Sequence, residues 1–211
     1  MTPPVNAMSD DNTAKNLAKV QIMILDSSER AANLIKNLLS NFGFSNVVIA
    51  NDGYQGVQIL RKLNIDLIFT DCDLKVYRNA ASFSDDTQEL MEVVQISGVD
   101  FVRRLRHAPS SPNPYIPIVM LVDQIKPADI FKARDAGVDE IMVKPLNAAT
   151  FCEHIINIID SQRIFITAEA YKGPCRRRKS TLPATAAERR TRDIRIIRRS
   201  EHARKETRSN E

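Results

Sequence analysis

Five short apolar runs, each followed by a helix-forming segment, constrain the fold of this chain more than any other feature. The runs lie at residues 20–25, 47–50, 67–70, 116–122 and 141–143. Apolar runs of this length without polar alternation are typical of parallel strands that are covered on both faces. Strands that alternate with helices predict a three-layer α/β sandwich with right-handed crossovers.

Helix-start and helix-end signals separate the runs. Ser27 or Ser28 can cap the first helix, and Asp52 stands at the start of the second. The other signals are Pro127 at a helix start, Gly137 at its end and Asn147 before the last helix.

The spacing of apolar residues also predicts which helical side chains face the core. It places Leu34 and Ile35 of the first helix and Tyr54, Val57 and Leu63 of the second on the buried side.

Charged residues end three of the apolar runs. Asp26 follows the first run, Asp71 follows the third, and Lys144 follows the fifth. In a parallel sheet these strand ends share one edge, so two carboxylates and an ammonium are expected to meet there. Such an edge can hold a divalent metal and a phosphoryl group beside a nucleophilic carboxylate. Ser27 stands where a second acid would complete the metal site.

Composition divides the 211-residue chain into three parts. We expect a loose N-terminal arm over 1–18, one α/β domain over 19–162 with an extra segment at 75–96, and a basic tail over 163–211. Residues 172–211 carry 14 Lys and Arg against 5 Asp and Glu, a net charge of +9, whereas the rest of the chain has −5. This composition predicts a mostly disordered tail.

The tail and the extra segment each allow a neutral and a functional interpretation. The tail is either a solvated end or a weak contact for nucleic acid or an anionic membrane. The segment 75–96 is either a tolerated surface loop or a functional element, namely a lid or a partner-specific surface.

The cysteines and the hydropathy bear on the compartment. The three cysteines, Cys72, Cys152 and Cys175, have neither disulfide nor zinc-ligand spacing, which fits a reducing environment. No stretch approaches 18 consecutive apolar residues, and the polar N-terminus lacks a hydrophobic signal region. The sequence therefore predicts a cytoplasmic protein without a transmembrane segment.

Residues 19–160 resemble the receiver domain of bacterial two-component response regulators. The resemblance is carried by the strands that end in Asp26 and Asp71, by the turn at 50–53, and by residues 136–145, Ala-Gly-Val-Asp-Glu-Ile-Met-Val-Lys-Pro. It implies a flavodoxin-like (βα)5 fold, with a parallel five-stranded sheet in the order 2-1-3-4-5.

The resemblance also implies a function and a site. Asp71 matches the aspartate that accepts a phosphoryl group from a histidine kinase or phosphotransfer protein, after which binding to a downstream protein partner changes. Lys144 matches the lysine that contacts the phosphoryl group, in a cis bond to Pro145. Asp26, Asp71 and the backbone carbonyl of Asp73 match the Mg²⁺ ligands. Such a protein is a single-domain response regulator and not an enzyme.

Three positions depart from the family pattern. Ser27 replaces an acid that ligates the metal, so Mg²⁺ is expected to bind more weakly. Val122 replaces the Ser or Thr hydroxyl that turns toward the phosphate, and Ile141 replaces the aromatic side chain that moves with it. A chain that lacks both groups cannot use the family's usual hydroxyl–aromatic relay.

Two alternatives stay open. In one, the chain is a pseudo-receiver that binds its partner without phosphorylation, and Lys144 only neutralises the two acids. In the other, Asp71-Cys72-Asp73 is the Asp-x-Asp motif of haloacid-dehalogenase-like phosphatases, with Asp71 as nucleophile and Asp73 as general acid. That family carries its motif on the first strand, whereas here it follows the third.

Overall fold

The computed structural model describes residues 17–74, 97–124, 126–160, 164–168, 171–175 and 195–198. The predicted arm up to residue 16, the extra segment 75–96 and most of the basic tail lie outside these residues. Within the described part of the chain, none of the helices combines the length and the apolar character that crossing a bilayer requires.

Strands and helices alternate through the main domain, and three further strands follow. In chain order the elements are β1 (Gln21–Leu25), α1 (Glu29–Asn41), β2 (Asn46–Ala50), α2 (Gly53–Lys62), β3 (Leu67–Asp71), α3 (Gly98–His107), β4 (Ile118–Val122), α4 (Pro127–Ala136), β5 (Glu140–Val143), α5 (Ala148–Asp160), β6 (Ile164–Ala168), β7 (Tyr171–Pro174) and β8 (Arg195–Arg198).

The first five strands form one parallel sheet in the order β2-β1-β3-β4-β5, as predicted. Buried side chains form one hydrophobic cluster on each face of this sheet. β4 is buried at all five positions, and β1 and β3 at four of five each, because helices cover both faces. The chain therefore has the flavodoxin-like three-layer architecture.

The predicted helix signals act at the observed helix ends. The Ser28 hydroxyl accepts a hydrogen bond from the Ala31 N–H (3.3 Å), and the Asp52 carboxylate accepts one from the Gln55 N–H (2.7 Å). Asn147 accepts from the Ala149 N–H (3.0 Å) at the start of α5. Gly137 ends α4 in the left-handed conformation, with φ of 96°.

Three side chains expected in the core are on the surface. Leu34 is 71% exposed, Tyr54 is 41% exposed and Leu63 is 42% exposed. In α1 the buried residues are Ala32, Ile35 and Leu39. At about 100° per residue, Leu34 lies well off the face these three define. The error arose because the apolar stripe of the sequence is wider than the face that meets the sheet.

Part of the basic tail forms a second, antiparallel sheet, which the expectation of disorder missed. β6 pairs with β7 on one side and with β8 on the other. Phe165 of β6 is fully buried, and its ring lies edge-on to Tyr115 at a centroid distance of 5.0 Å. β7 packs against α3 and α4. These three strands therefore belong to the folded part of the chain.

A buried arginine joins the second sheet to the first. Arg106 is fully buried, and its guanidinium lies 3.2 Å from the Asp139 carboxylate and 5.3 Å from the centre of the Phe165 ring. It also donates to the carbonyls of Gly137 (3.1 Å) and Pro114 (2.6 Å). Because a buried charge is tolerated only with such partners, this cluster fixes where the C-terminal sheet docks.

A pair of phenylalanine substitutions tests whether the C-terminal sheet contributes to the fold. Phe165→Ala removes a fully buried ring, whereas Phe131→Ala removes a ring that is 54% exposed. We expect Phe165→Ala to lower the free energy of unfolding by about 3 kcal/mol, and Phe131→Ala to lower it by less than about 1 kcal/mol. Urea unfolding of both variants measures this. Equal effects would show that β6 is not packed in solution.

Candidate functional site

The carboxyl ends of β1, β3 and β5 bring together the three residues predicted to share one edge. Lys144 Nζ lies 2.7 Å from Asp71 Oδ1 and 3.6 Å from Asp26 Oδ2. The strand register explains this, since β1 and β3 pair directly and β5 lies beyond β4. The backbone of Lys144 also bonds to β4, since the Lys144 backbone N–H donates to the Val122 carbonyl (2.8 Å). The Lys144–Pro145 bond is cis, as expected.

The start of α3 supports the backbone of Asp71. The Gly98 N–H donates to the Cys72 carbonyl (2.9 Å). A Cβ atom at position 98 would collide with the Asp71 carbonyl oxygen, so only glycine allows the helix to begin this close to β3.

Asp26 is almost fully buried and only partly hydrogen-bonded. It is 2% exposed, and its Oδ1 accepts from the Ser28 N–H (2.8 Å). Its Oδ2 is buried without a hydrogen-bond partner. Burial raises the pKa of Asp26, and the charge of Asp71 adds to this, while the Ser28 N–H and Lys144 oppose it. The free oxygen is therefore suited to a cation or to a water bound to one.

Lys144 stays charged at neutral pH. Burial alone would lower its pKa, but the hydrogen bond to Asp71 and the charges of Asp71, Asp26 and Asp123 outweigh burial, so the pKa of Lys144 is raised. The ammonium thus supplies a permanent positive charge beside the Asp71 carboxylate.

Two further aspartates lie at the mouth of the site. Asp73 is exposed and lines a cleft together with Asp123 and Lys126. Asp123 is 74% exposed, with Oδ1 3.8 Å from Lys144 Nζ. At this distance and exposure the ion pair adds little stability. Because Asp123 follows Val122 directly, the sequence itself places this acid at the mouth of the site.

The three departures from the family pattern lie around the same edge. Ser27 is half-buried and follows Asp26 directly. Val122 is buried at the end of β4, and Ile141 in β5 is half-buried against the core. Position 122 therefore has no hydroxyl and position 141 has no aromatic ring, so these two described residues lack the groups of the family's usual relay.

The side chains present fit Mg²⁺ only with water as an additional ligand. Across the described ranges there is no group of three or more His, Cys, Asp or Glu side chains that could hold a metal ion. Asp26 and Asp71 provide two carboxylates. The backbone carbonyl of Asp73 is the third oxygen that the family pattern implies. Mg²⁺ prefers six oxygens and readily keeps waters, so this set fits it with fewer protein ligands.

Cys72, next to Asp71, is not a reactive thiol. Burial, together with the charges of Asp73, Asp129 and Asp71, raises the pKa of Cys72 to about 11. The thiol is therefore protonated at neutral pH, and a protonated thiol is a poor nucleophile.

The buried carboxylate of Asp26 predicts a pH-dependent stability. Because its pKa is raised by folding, ionisation of Asp26 opposes folding. The penalty is absent below the ordinary carboxyl pKa of 3.8 and develops as the pH rises through the folded pKa. Asp26→Asn should therefore unfold at a higher urea concentration than wild type at neutral pH in chelator, with the gain vanishing at about pH 3. Asp135→Asn, at an exposed acid, is the control. A destabilised Asp26→Asn protein at neutral pH would contradict this account.

Known proteins resemble the main domain in sequence and in structure. No family model matches the chain. The chemotaxis protein CheY-3 of Vibrio cholerae is 26% identical over 141 residues, which are 67% of this chain and 92% of that protein. The chemotaxis protein CheY of Pseudomonas aeruginosa is 27% identical over 141 residues, 67% of this chain and 97% of that protein.

Solved structures show the same fold. The V. cholerae chemotaxis protein CheY4 matches with a TM-score of 0.51 at 20% identity, over 66% of this chain and 98% of its own. The receiver domain of the sensor histidine kinase PA1611 from P. aeruginosa, which is described with a magnesium ion in its active site cleft, matches with a TM-score of 0.51 at 22% identity, over 67% of this chain and 99% of its own. Two thirds of the chain thus resembles CheY-like receiver domains in sequence and shares their fold.

Proposed function

We propose that Asp71 accepts a phosphoryl group from a phosphohistidine of a histidine kinase or phosphotransfer protein, and that this modification changes binding to a downstream protein. The observation that carries the proposal is the contact between Lys144 Nζ and Asp71 Oδ1 at 2.7 Å, with Asp26 Oδ2 3.6 Å from the same ammonium. A carboxylate with an adjacent fixed ammonium, and with a second carboxylate that can help to hold Mg²⁺, is suited to receive a transferring phosphoryl group.

The chemistry follows from these groups. A carboxylate oxygen of Asp71 attacks phosphorus in line with the P–N bond. The new O–P bond forms as the P–N bond breaks, and the electron pair of that bond returns to the imidazole. Lys144 neutralises part of the negative charge on the phosphoryl oxygens. Bound Mg²⁺ would supply the remaining positive charge, held by Asp26, Asp71 and the Asp73 carbonyl.

A pseudo-receiver is the second candidate. Ser27, Val122 and Ile141 favour it, because the first weakens the metal site and the other two lack the groups of the usual relay. In this alternative the domain binds a partner through its surface and is never phosphorylated. Contacts of the basic tail with nucleic acid or an anionic membrane stay a prediction under either function.

Incubation with Mg²⁺ and a small phosphodonor, followed by intact-mass measurement, tests the proposal. We expect one phosphoryl adduct on wild type, none in the presence of a chelator, and none on Asp71→Asn. Asp71 contacts Lys144 directly, so a Lys144→Ala variant should also lose most of the adduct.

Absence of the adduct with several donors would support the pseudo-receiver instead. Sustained release of phosphate from an aryl phosphate would support the phosphatase interpretation. A receiver hydrolyses only the acyl phosphate formed on its own aspartate, so it would not sustain this release.

Restoring the missing acid should strengthen the metal site. Ser27→Asp adds a carboxylate beside Asp26, so we expect Mg²⁺ to bind about tenfold more tightly, a gain of about 1.4 kcal/mol. Titration of Mg²⁺, followed by the shift of the unfolding temperature, measures the change.

Ser28→Asp is the matched control for that variant. It adds the same charge one residue further on, at the exposed cap of α1, where Asp caps as well as Ser. If both variants gain Mg²⁺ affinity equally, the effect is general electrostatics and position 27 is not a ligand position.

A further inference from the structure

The C-terminal sheet meets the main domain where β5 begins. Gly137 and Gly173 face each other across this junction. A Cβ atom at Gly137 would collide with the Lys172 carbonyl, and one at Gly173 would lie 2.7 Å from Gly137 Cα and 2.6 Å from the Tyr171 hydroxyl. The two backbones are thus in direct contact, with no room for a side chain. Such a contact fits only one relative position of the backbone at Gly137 and the backbone at Gly173.

Arg106 connects the same junction to the start of β5. Its guanidinium bonds the Gly137 carbonyl and the Asp139 carboxylate, and Phe165 of the C-terminal sheet covers it. Asp139 in turn accepts from the Ile118 N–H (2.9 Å) at the start of β4. Docking of β6 and β7 therefore depends on where residues 137–139 lie.

β5 links this junction to the acceptor site. The Asp139 N–H donates to the Ile118 carbonyl (2.9 Å), and at the other end the Lys144 N–H donates to the Val122 carbonyl (2.8 Å). β5 itself, Glu140–Val143, is the extended segment between these two bonds and is roughly 13 Å long. One end contacts the C-terminal sheet, and the other carries the ammonium that holds Asp71.

We propose that docking of the C-terminal sheet is coupled through β5 to occupancy of the acceptor site, so that a phosphoryl group on Asp71 loosens β6 and β7 from α3 and α4. This proposal rests on the proposed function. A phosphoryl group places its charged oxygens beyond the present carboxylate, and Lys144 follows them outward. β5 shifts with Lys144, and the close contact at Gly137 and Gly173 loses its fit.

Linkage makes the coupling reciprocal. If occupancy of the site weakens docking, then weaker docking must strengthen binding at the site by the same factor. A variant that disturbs the Gly137–Gly173 contact should therefore bind a phosphoryl analogue more tightly, although it lies at the opposite end of β5.

Hydrogen exchange with beryllofluoride as the phosphoryl analogue tests the proposal on the full chain. With Mg²⁺ and beryllofluoride we expect exchange in the peptides that cover 164–168 and 171–175 to accelerate by about fivefold or more. Asp71→Asn should show no change. Fluorine NMR of the same samples reports whether beryllofluoride is bound.

Gly173→Ala tests the reciprocal effect. It should accelerate exchange in β6 and β7 without ligand and lower the half-saturating beryllofluoride concentration by about fivefold or more. Gly56→Ala is the matched control, since a Cβ there makes only ordinary contacts, the nearest at 3.5 Å. Phe165→Leu, which keeps an apolar side chain under Arg106, serves as a milder variant in case Gly173→Ala does not fold.

The outcomes separate the two proposals. Bound beryllofluoride with unchanged exchange in β6 and β7 overturns the coupling and leaves the acceptor function intact. Failure of wild type to bind beryllofluoride overturns the acceptor function and the coupling with it. An undocked sheet in Gly173→Ala with wild-type beryllofluoride affinity also overturns the coupling.

Discussion

The ammonium of Lys144 is the contact on which the carboxyl edge of the main sheet depends. It lies 2.7 Å from Asp71 and 3.6 Å from Asp26, two carboxylates whose charges otherwise oppose each other in a partly buried site. Because β1, β3, β4 and β5 are parallel neighbours, these groups lie at one edge of the sheet. Gly98 allows α3 to begin directly against the Asp71 backbone. The same ammonium lies at the end of the strand whose other end meets the C-terminal sheet. β5 therefore connects the candidate site to the junction with the C-terminal sheet.

The geometry of the main sheet could be predicted from the sequence because each signal was local. Short apolar runs gave the strands, and capping residues such as Ser28 and Asp52 gave the helix starts. Once the strands are taken as parallel, a charged residue that directly follows a strand is placed at the carboxyl edge of the sheet, and no further information is needed. The family resemblance supplied what spacing alone could not, namely the strand order and the cis Lys144–Pro145 bond, and both are observed.

The parts that sequence reasoning missed depend on contacts between distant segments. Leu34 has the apolar character of a core residue, but only the packing of α1 on the sheet decides which face is buried. The C-terminal sheet pairs β6 with a strand about thirty residues further on, through a region whose overall composition is basic and polar. The available signal was the run Ile164-Phe165-Ile166-Thr167, which is rich in residues that favour strands. Burial of Phe165 depends on Arg106 and Tyr115, which no local pattern connects to it.

We propose Asp71, and no other carboxylate, as the phosphoryl acceptor. An acyl phosphate is reduced by borohydride to an alcohol, so the modified residue can be identified by peptide mass after reduction of the phosphodonor-treated protein. This account predicts conversion of Asp71 to homoserine, in a reaction that requires Mg²⁺ during phosphorylation. Conversion at Asp26, Asp73 or Asp123, or at no residue under any donor, would contradict it.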